Sequence, residues 1–202
     1  MGLYHQYLSP RLVDLLCSPQ GLGRWRKPCV DGLSGRIVEI GFGAGRNVPY
    51  YNENVTDLIA IEPSTVMRDR ARDRVANAPF PIHWGGLDGQ RLDLDDASVD
   101  AAVVTFSLCT IRDPIAALRE LRRVVRPGGE LRALEHGIAP DEKIQLWQRR
   151  LDGIQHWLAD GCHLTRDPVA LIVESGWNVT ATYQKYSAGP KFLTYFSSIK
   201  AT

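Results

Sequence analysis

The sequence predicts an α/β protein built on a mostly parallel, seven-stranded sheet with helices on both faces. Short apolar runs alternate with helical patterns from residue 36 to the C-terminus. The run at 99–105 is apolar almost throughout, which is typical of a strand covered on both faces. The 202 residues show no repeat or linker. We therefore expect a single domain, with helices in 1–33 and an α/β core in 34–202.

Each predicted element follows from a local pattern. Strands are expected at 36–40, 58–61, 81–84, 99–105, 130–134, 178–184 and 192–200, the last two forming an antiparallel end to the sheet. Helices are expected at 4–17, 20–30, 46–51, 64–78, 113–126, 141–158 and 168–175. Ser64 and Asp113 are predicted N-caps, and Pro114 takes the first helical position. Pro127 and the two glycines after it are expected to end that helix.

Composition excludes several classes of protein. The 24 Lys and Arg residues and the 23 Asp and Glu residues leave a net charge of +1, which argues against a dedicated nucleic-acid binder. No apolar run has the roughly 20 residues of a membrane span, and the N-terminus lacks a signal-peptide pattern. Cys17, Cys29, Cys109 and Cys162 show no CxxC pair and no zinc-like spacing with histidine. We expect free thiols, a cytoplasmic location and no metal site.

A glycine-rich turn follows the first strand. Gly41, Gly43 and Gly45 alternate with other residues, which lets the backbone turn sharply and approach a ligand closely. This pattern indicates a nucleotide-like ligand. Arg46 occupies the third glycine position of the dinucleotide fingerprint, which weakens a nicotinamide interpretation.

Two carboxylates follow the later strands. Glu62 ends the second strand and could accept both hydroxyl groups of a ribose. That role suits several nucleotide cofactors and does not separate them. Asp88 could accept a hydrogen bond from an adenine amino group, although an ordinary turn role is the commoner one for an Asp-Gly pair.

The order of these motifs resembles a known family. The segments 41–45, 62–64, 92–100 and 121–129 resemble successive motifs of the S-adenosylmethionine (SAM) dependent methyltransferases with a Rossmann-like, doubly wound fold, in the type 11 group. The resemblance covers about 36–136. The segments 108–111, 134–137 and 160–166 are similar to the alkyl-thiol methyltransferase-like proteins.

This resemblance implies SAM as the cofactor and a role for each matching position. The residues implied in cofactor binding are Glu39, Gly41, Gly43, Gly45, Asn47, Glu62, Pro63, Ser64, Met67, Asp88, Gly89, Thr105 and Phe106. Glu39 would hold the ammonium group, Glu62 the ribose and Asp88 the adenine edge. Leu108 would lie near the reacting methyl group. The N-terminal helices would form a lid, with Tyr4 or Tyr7 over the substrate, although packing explains these tyrosines equally well.

The acceptor is predicted by chemistry and by the finer resemblance. A thiol with a pKa of about 8.5 is partly ionised at neutral pH and needs little help from a base. If a base is used, His136 is the best placed catalytic candidate, because it follows the fifth strand; a structural role is its alternative. We expect a small-molecule thiol as substrate. An amine or a quinone-type carbon or oxygen acceptor, a nicotinamide-dependent oxidoreductase, and a catalytically silent subunit remain alternatives. The oligomeric state is not predicted.

Overall fold

The computed structural model describes the backbone of residues 19–202 and the side chains from residue 22 onward. The predicted helix at 4–17, with Tyr4 and Tyr7, lies outside the described residues. The strands are β1 Gly35–Ile40, β2 Val55–Ile61, β3 Ile82–Trp84, β4 Val99–Thr105, β5 Val125–His136, β6 Val179–Tyr186 and β7 Tyr195–Ala201. They form one sheet in the order β3-β2-β1-β4-β5-β7-β6, which confirms the predicted seven-stranded fold.

Strands β1 to β5 pair in parallel, and β7 runs antiparallel to both β5 and β6. The predicted antiparallel end therefore depends on the reversal of a single strand, β7. Strand order reverses beside β1, which lies between β2 and β4. In doubly wound sheets, ligands bind at such a switch point, outside the carboxyl ends of the strands.

The helices are α1 Pro19–Val30, α2 Thr65–Ala76, α3 Pro114–Val124, α4 Glu142–Leu158 and α5 Pro168–Glu174. The predicted caps are confirmed. Ser64 accepts a hydrogen bond from the Met67 amide, and Asp113 accepts one from the Ala116 amide. No helix within 19–202 is both long and apolar enough to span a membrane.

Two predicted boundaries are wrong. The segment predicted as a helix at 46–51 contains only a single 3-10 turn, Val48–Tyr50, which has a proline in its first positions. Strand β5 begins at Val125, so the glycines after Pro127 lie within the strand. A Cβ at Gly129 would lie 2.5 Å from the Asp100 carbonyl oxygen, so glycine lets β5 approach β4 closely there.

The core has two layers because the sheet is covered on both faces. Along β1, Val38 packs on one face with Leu118 and Ile172 of α3 and α5. Its neighbour Ile37 packs on the other face with Val30 and the α2 residue Ala71, among others. This two-sided burial holds β1, β2 and β4 in place and leaves their carboxyl ends to form the site.

Candidate functional site

A pocket of about 590 Å³ lies at the carboxyl ends of β1, β2 and β4. Most of the predicted cofactor residues line it: Gly41, Gly43, Glu62, Pro63, Ser64, Met67, Asp88, Gly89, Thr105 and Phe106. The loop after β4 and the end of α4 complete the wall with residues that were not predicted as site residues: Thr110, Ile111, Arg112, Ala159 and Asp160. Thr110, Ile111 and Asp160 lie in the segments 108–111 and 160–166 that carry the finer resemblance, whereas for Arg112 and Ala159 the only signal is a position near the end of a strand or helix.

The three glycines of the turn differ in what a side chain at each position would contact. All three have positive φ angles, +70° at Gly41, +58° at Gly43 and +70° at Gly45. A Cβ at Gly41 would collide with the Ser107 side chain, and one at Gly45 would lie 3.1 Å from the Phe42 ring. A Cβ at Gly43 would meet no atom closer than 3.9 Å. Gly41 and Gly45 thus fit the loop against its neighbours, whereas Gly43 leaves open space in the pocket wall.

Glu62 connects the end of β2 to this turn. Its carboxylate accepts hydrogen bonds from the Gly43 amide at 2.7 Å and from the Ser64 amide at 2.8 Å. Burial raises the pKa of Glu62, and the two amide bonds partly offset that effect. The carboxylate is only 6% exposed yet lines the pocket. It therefore shapes the glycine turn and remains within reach of a ligand.

Whereas Glu62 is buried, Asp88, the second predicted carboxylate, is exposed. It lies on an exposed turn, where one oxygen accepts hydrogen bonds from the amide and the side chain of Gln90. These two bonds lower the pKa of Asp88. The turn role and the pocket role coexist at this position.

A buried polar network lies beneath the pocket. Asn47 donates to Glu39 at 2.8 Å and to Thr105 at 3.1 Å, and the Tyr51 hydroxyl donates to Glu39 at 2.7 Å. Glu39, Asn47 and Gly45 are not part of the pocket wall. Both oxygens of Glu39 already accept hydrogen bonds from protein groups. The contact of Glu39 with an ammonium group stays a prediction.

Arg26 of α1 is a pocket-lining residue that the motif analysis did not identify. It is 5% exposed, donates to Asn47 and Thr105, and lines the pocket. Its guanidinium lies 5.3 Å from the centre of the Phe106 ring. The available signal was an arginine next to Trp25 on an otherwise apolar helix face.

Burial gives the network a measurable pH dependence. It raises the pKa of Glu39 to about 7 from 4.5, against the hydrogen bonds from Tyr51 and Asn47. Between pH 4.5 and 7, Glu39 in the folded chain therefore still holds a proton that it has already lost in the unfolded chain. Glu39 thus contributes stability that is present below pH 4.5 and lost as the pH rises through 7.

We expect the nearly isosteric substitution Glu39→Gln to remove this contribution. Denaturant unfolding across pH 4.5–7 should show wild type losing stability relative to the variant as the pH rises, by up to about 3 kcal/mol. A difference between the two proteins that does not change with pH would contradict a raised pKa at Glu39.

Leu108 and His136 also lie outside the pocket wall. Leu108, predicted to contact substrate, is 1% exposed in the hydrophobic core. His136, the candidate base, places Nε2 at 3.1 Å from Cys162 Sγ. A hydrogen bond from Cys162 lowers the pKa of Cys109 and raises that of Cys162. Burial opposes the charged form of His136, but the adjacent Cys109 raises the pKa of His136 overall. His136 thus belongs to a buried sulfur cluster rather than to the pocket surface.

Comparison with known proteins identifies the domain. Residues 38–133 match a family model described as a methyltransferase domain. The chain contains a SAM-dependent methyltransferase domain. A solved putative methyltransferase from Bacillus halodurans C-125 has a TM-score of 0.71 at 10% identity, covering 88% of this chain and 96% of that one, so it shares the fold.

Two curated relatives also match this methyltransferase domain. Thiol S-methyltransferase TMT1B of Rattus norvegicus is 32% identical over 65% of this chain and 55% of its own length. Phosphatidylethanolamine N-methyltransferase of Cereibacter sphaeroides is 28% identical over 72% of this chain and 74% of its own length. The chain spans little more than half the length of the thiol S-methyltransferases that it matches.

The pocket of the methyltransferase domain fits its cofactor, SAM. The open space beside Gly43 allows close approach to the backbone, and the buried Glu62 carboxylate offers acceptors for ribose hydroxyls. The pocket volume lies within the range of small-ligand sites. The family match favours this cofactor over the nicotinamide alternative.

Proposed function

We propose that this chain transfers the methyl group of SAM to the sulfur of a small-molecule thiol. One observation carries the choice of acceptor: among the described residues, the pocket wall contains no histidine, lysine, cysteine or tyrosine. A thiol is the acceptor that depends least on such a group, because a few per cent is already thiolate at neutral pH. The thiol S-methyltransferase names of several relatives support the proposal.

The wall has three acidic residues, Glu62, Asp88 and Asp160, and a carboxylate is a much weaker base than an amine. Both oxygens of Glu62 accept backbone hydrogen bonds, and the Asp88 carboxylate is engaged by Gln90. An amine with a pKa near 10 would have to lose its proton first, and this wall offers little to remove it. The pocket thus suits an acceptor that ionises by itself.

The protein's contribution to the reaction is alignment and exclusion of water. SAM supplies an electrophilic methyl group on a sulfonium leaving group. The glycine turn and Glu62 would hold it, and Thr105 to Ser107 would border the reacting centre. Phe106 has a φ of +53°, and its backbone amide donates a hydrogen bond to the Leu134 carbonyl at 2.8 Å. Its ring makes an edge contact with the ring of Phe196. A carbon–sulfur bond to the thiolate forms as the sulfonium bond breaks, and the thiol proton is released to solvent.

An amine acceptor is the second candidate. It is favoured by the phosphatidylethanolamine N-methyltransferase relative, of which the alignment covers 74%. An amine must lose a proton before it can attack, whereas a thiol is already partly ionised. An assay that offers both acceptors separates the two candidates.

We expect a panel of small thiols, amines and phenols, incubated with labelled SAM, to show transfer to thiols. The rate should rise with pH through the pKa of each thiol, because the thiolate is the attacking form. Thiols of different pKa provide the matched control: the inflection should move with the substrate. Transfer to amines or phenols and to no thiol would contradict the acceptor. SAM binding without any turnover would favour the silent subunit.

A further inference from the structure

The chain contains a cluster of metal-binding side chains that the motif analysis did not identify. Cys109, His136 and Cys162 each place one ligand atom within 4.8 Å of the other two. The Nε2 atom of His136 is 3.1 Å from Cys162 Sγ. Cys109 is 4% exposed, Cys162 is 7% exposed and His136 is half-buried, so the two sulfur ligands are shielded from bulk solvent.

Three separate parts of the chain supply these ligands. Cys109 lies in the loop after β4, His136 is the last residue of β5, and Cys162 follows α4. The cysteines and the histidine are too far apart in sequence to form a zinc motif. Cys109 and His136 meet because β4 and β5 are parallel neighbours whose carboxyl ends lie at the same edge of the sheet, and the loop after α4 adds Cys162.

Hydrogen bonds from backbone amides hold the three segments together independently of the cluster. The Glu135 carboxylate accepts hydrogen bonds from the Ser107 and Leu108 amides at 2.8 and 3.1 Å, which fixes the loop before Cys109. The His163 amide donates to the Cys109 carbonyl at 2.9 Å, which ties the loop of Cys162 to the loop of Cys109. The ligands are therefore brought together by the fold itself.

We propose that Cys109, His136 and Cys162 bind a Zn²⁺ ion. Zinc in proteins prefers tetrahedral sites of thiolate sulfur and imidazole nitrogen. With Zn–S near 2.3 Å and Zn–N near 2.05 Å, the ligand atoms would be about 3.6–3.8 Å apart. The His136–Cys162 separation of 3.1 Å is shorter than this range, and all three ligand atoms lie within 4.8 Å of one another, so side-chain shifts of about 1 Å would close the site. Carboxylate-preferring ions such as Mg²⁺ do not suit two sulfur ligands.

The ion would stabilise the wall of the pocket. Thr110 and Ile111, directly after Cys109, line the pocket, as do Ala159 and Asp160, just before Cys162. One ion would thus join two loops of the pocket wall. The inference does not rest on the proposed function, since metal binding can be measured without methyl transfer.

The test is metal content together with a spectroscopic signature. Protein expressed with zinc and purified under reducing conditions should carry about one Zn²⁺ per chain by elemental analysis. After removal of the metal, added Co²⁺ should give sulfur-to-cobalt charge-transfer absorption and the visible bands of a tetrahedral site. Cys109→Ala, Cys162→Ala and His136→Ala should each lose most of the bound zinc. Cys29→Ala removes a buried cysteine outside the cluster and should retain it.

Thermal unfolding of wild type supplies a second measurement that does not depend on whether a variant folds. Chelation should lower the melting temperature of wild type but leave that of Cys162→Ala unchanged. Wild type without zinc and without Co²⁺ thiolate absorption would overturn the proposal, as would a disulfide between Cys109 and Cys162 in the purified, unreduced protein. Equal zinc loss in Cys29→Ala would overturn the ligand assignment.

Discussion

Replacing Gly43 with valine is expected to abolish binding of SAM and of its demethylated product. Gly43 has a φ of +58°, a conformation that a β-branched residue adopts only with strain. The position where a side chain would begin is open, 3.9 Å from the nearest atom, so the new methyl groups would occupy space in the pocket wall. Both effects act on the part of the backbone that the cofactor must approach.

Gly32→Val is the matched control for that substitution. Gly32 has a φ of +77° and no atom within 4 Å of the position of a Cβ, so it is about as open as Gly43, but it lies in the turn after α1 and outside the pocket wall. Both variants should lose stability through backbone strain. Calorimetric titration should show loss of SAM affinity only in Gly43→Val, and unchanged affinity there would mean that the glycine turn does not hold the cofactor.

Glu62→Ala is expected to weaken SAM binding by about 1.5–3 kcal/mol, the range for losing hydrogen bonds to a charged group. That loss corresponds to a roughly 10- to 150-fold higher dissociation constant. The variant removes the predicted ribose acceptor and also frees the Gly43 and Ser64 amides that Glu62 now orients. Affinity should therefore fall through a lost ligand contact and through a less ordered glycine turn.

Asp88→Ala is the comparison for Glu62→Ala and should cost less. Asp88 is exposed and bonded to Gln90, so it has less to offer a ligand than a buried carboxylate. Calorimetry on both variants tests the order. A larger loss of affinity in Asp88→Ala would show that the adenine edge, rather than the ribose, provides the stronger contact.

Local sequence determined the scaffold and one side of the pocket. The apolar runs predicted β1, β2 and β4, and the residues that follow them directly had to lie at one edge of a parallel sheet. For this reason Gly41, Gly43 and Glu62 could be placed in the pocket from the sequence, whereas Thr105 was implied by the family resemblance. The caps at Ser64 and Asp113 were equally predictable, because their hydrogen bonds reach only three residues ahead.

Only the tertiary structure decided which distant groups meet. Arg26 reaches Thr105 across 79 positions, and His136 reaches Cys162 across 26, with no local pattern that joins either pair. The core position of Leu108 likewise depends on how the loop after β4 folds back against the sheet. Local sequence patterns predict the backbone conformation of a residue and whether its side chain is exposed or buried. Contacts between loops depend on strand order and the reversal of β7, which arise from packing the whole chain.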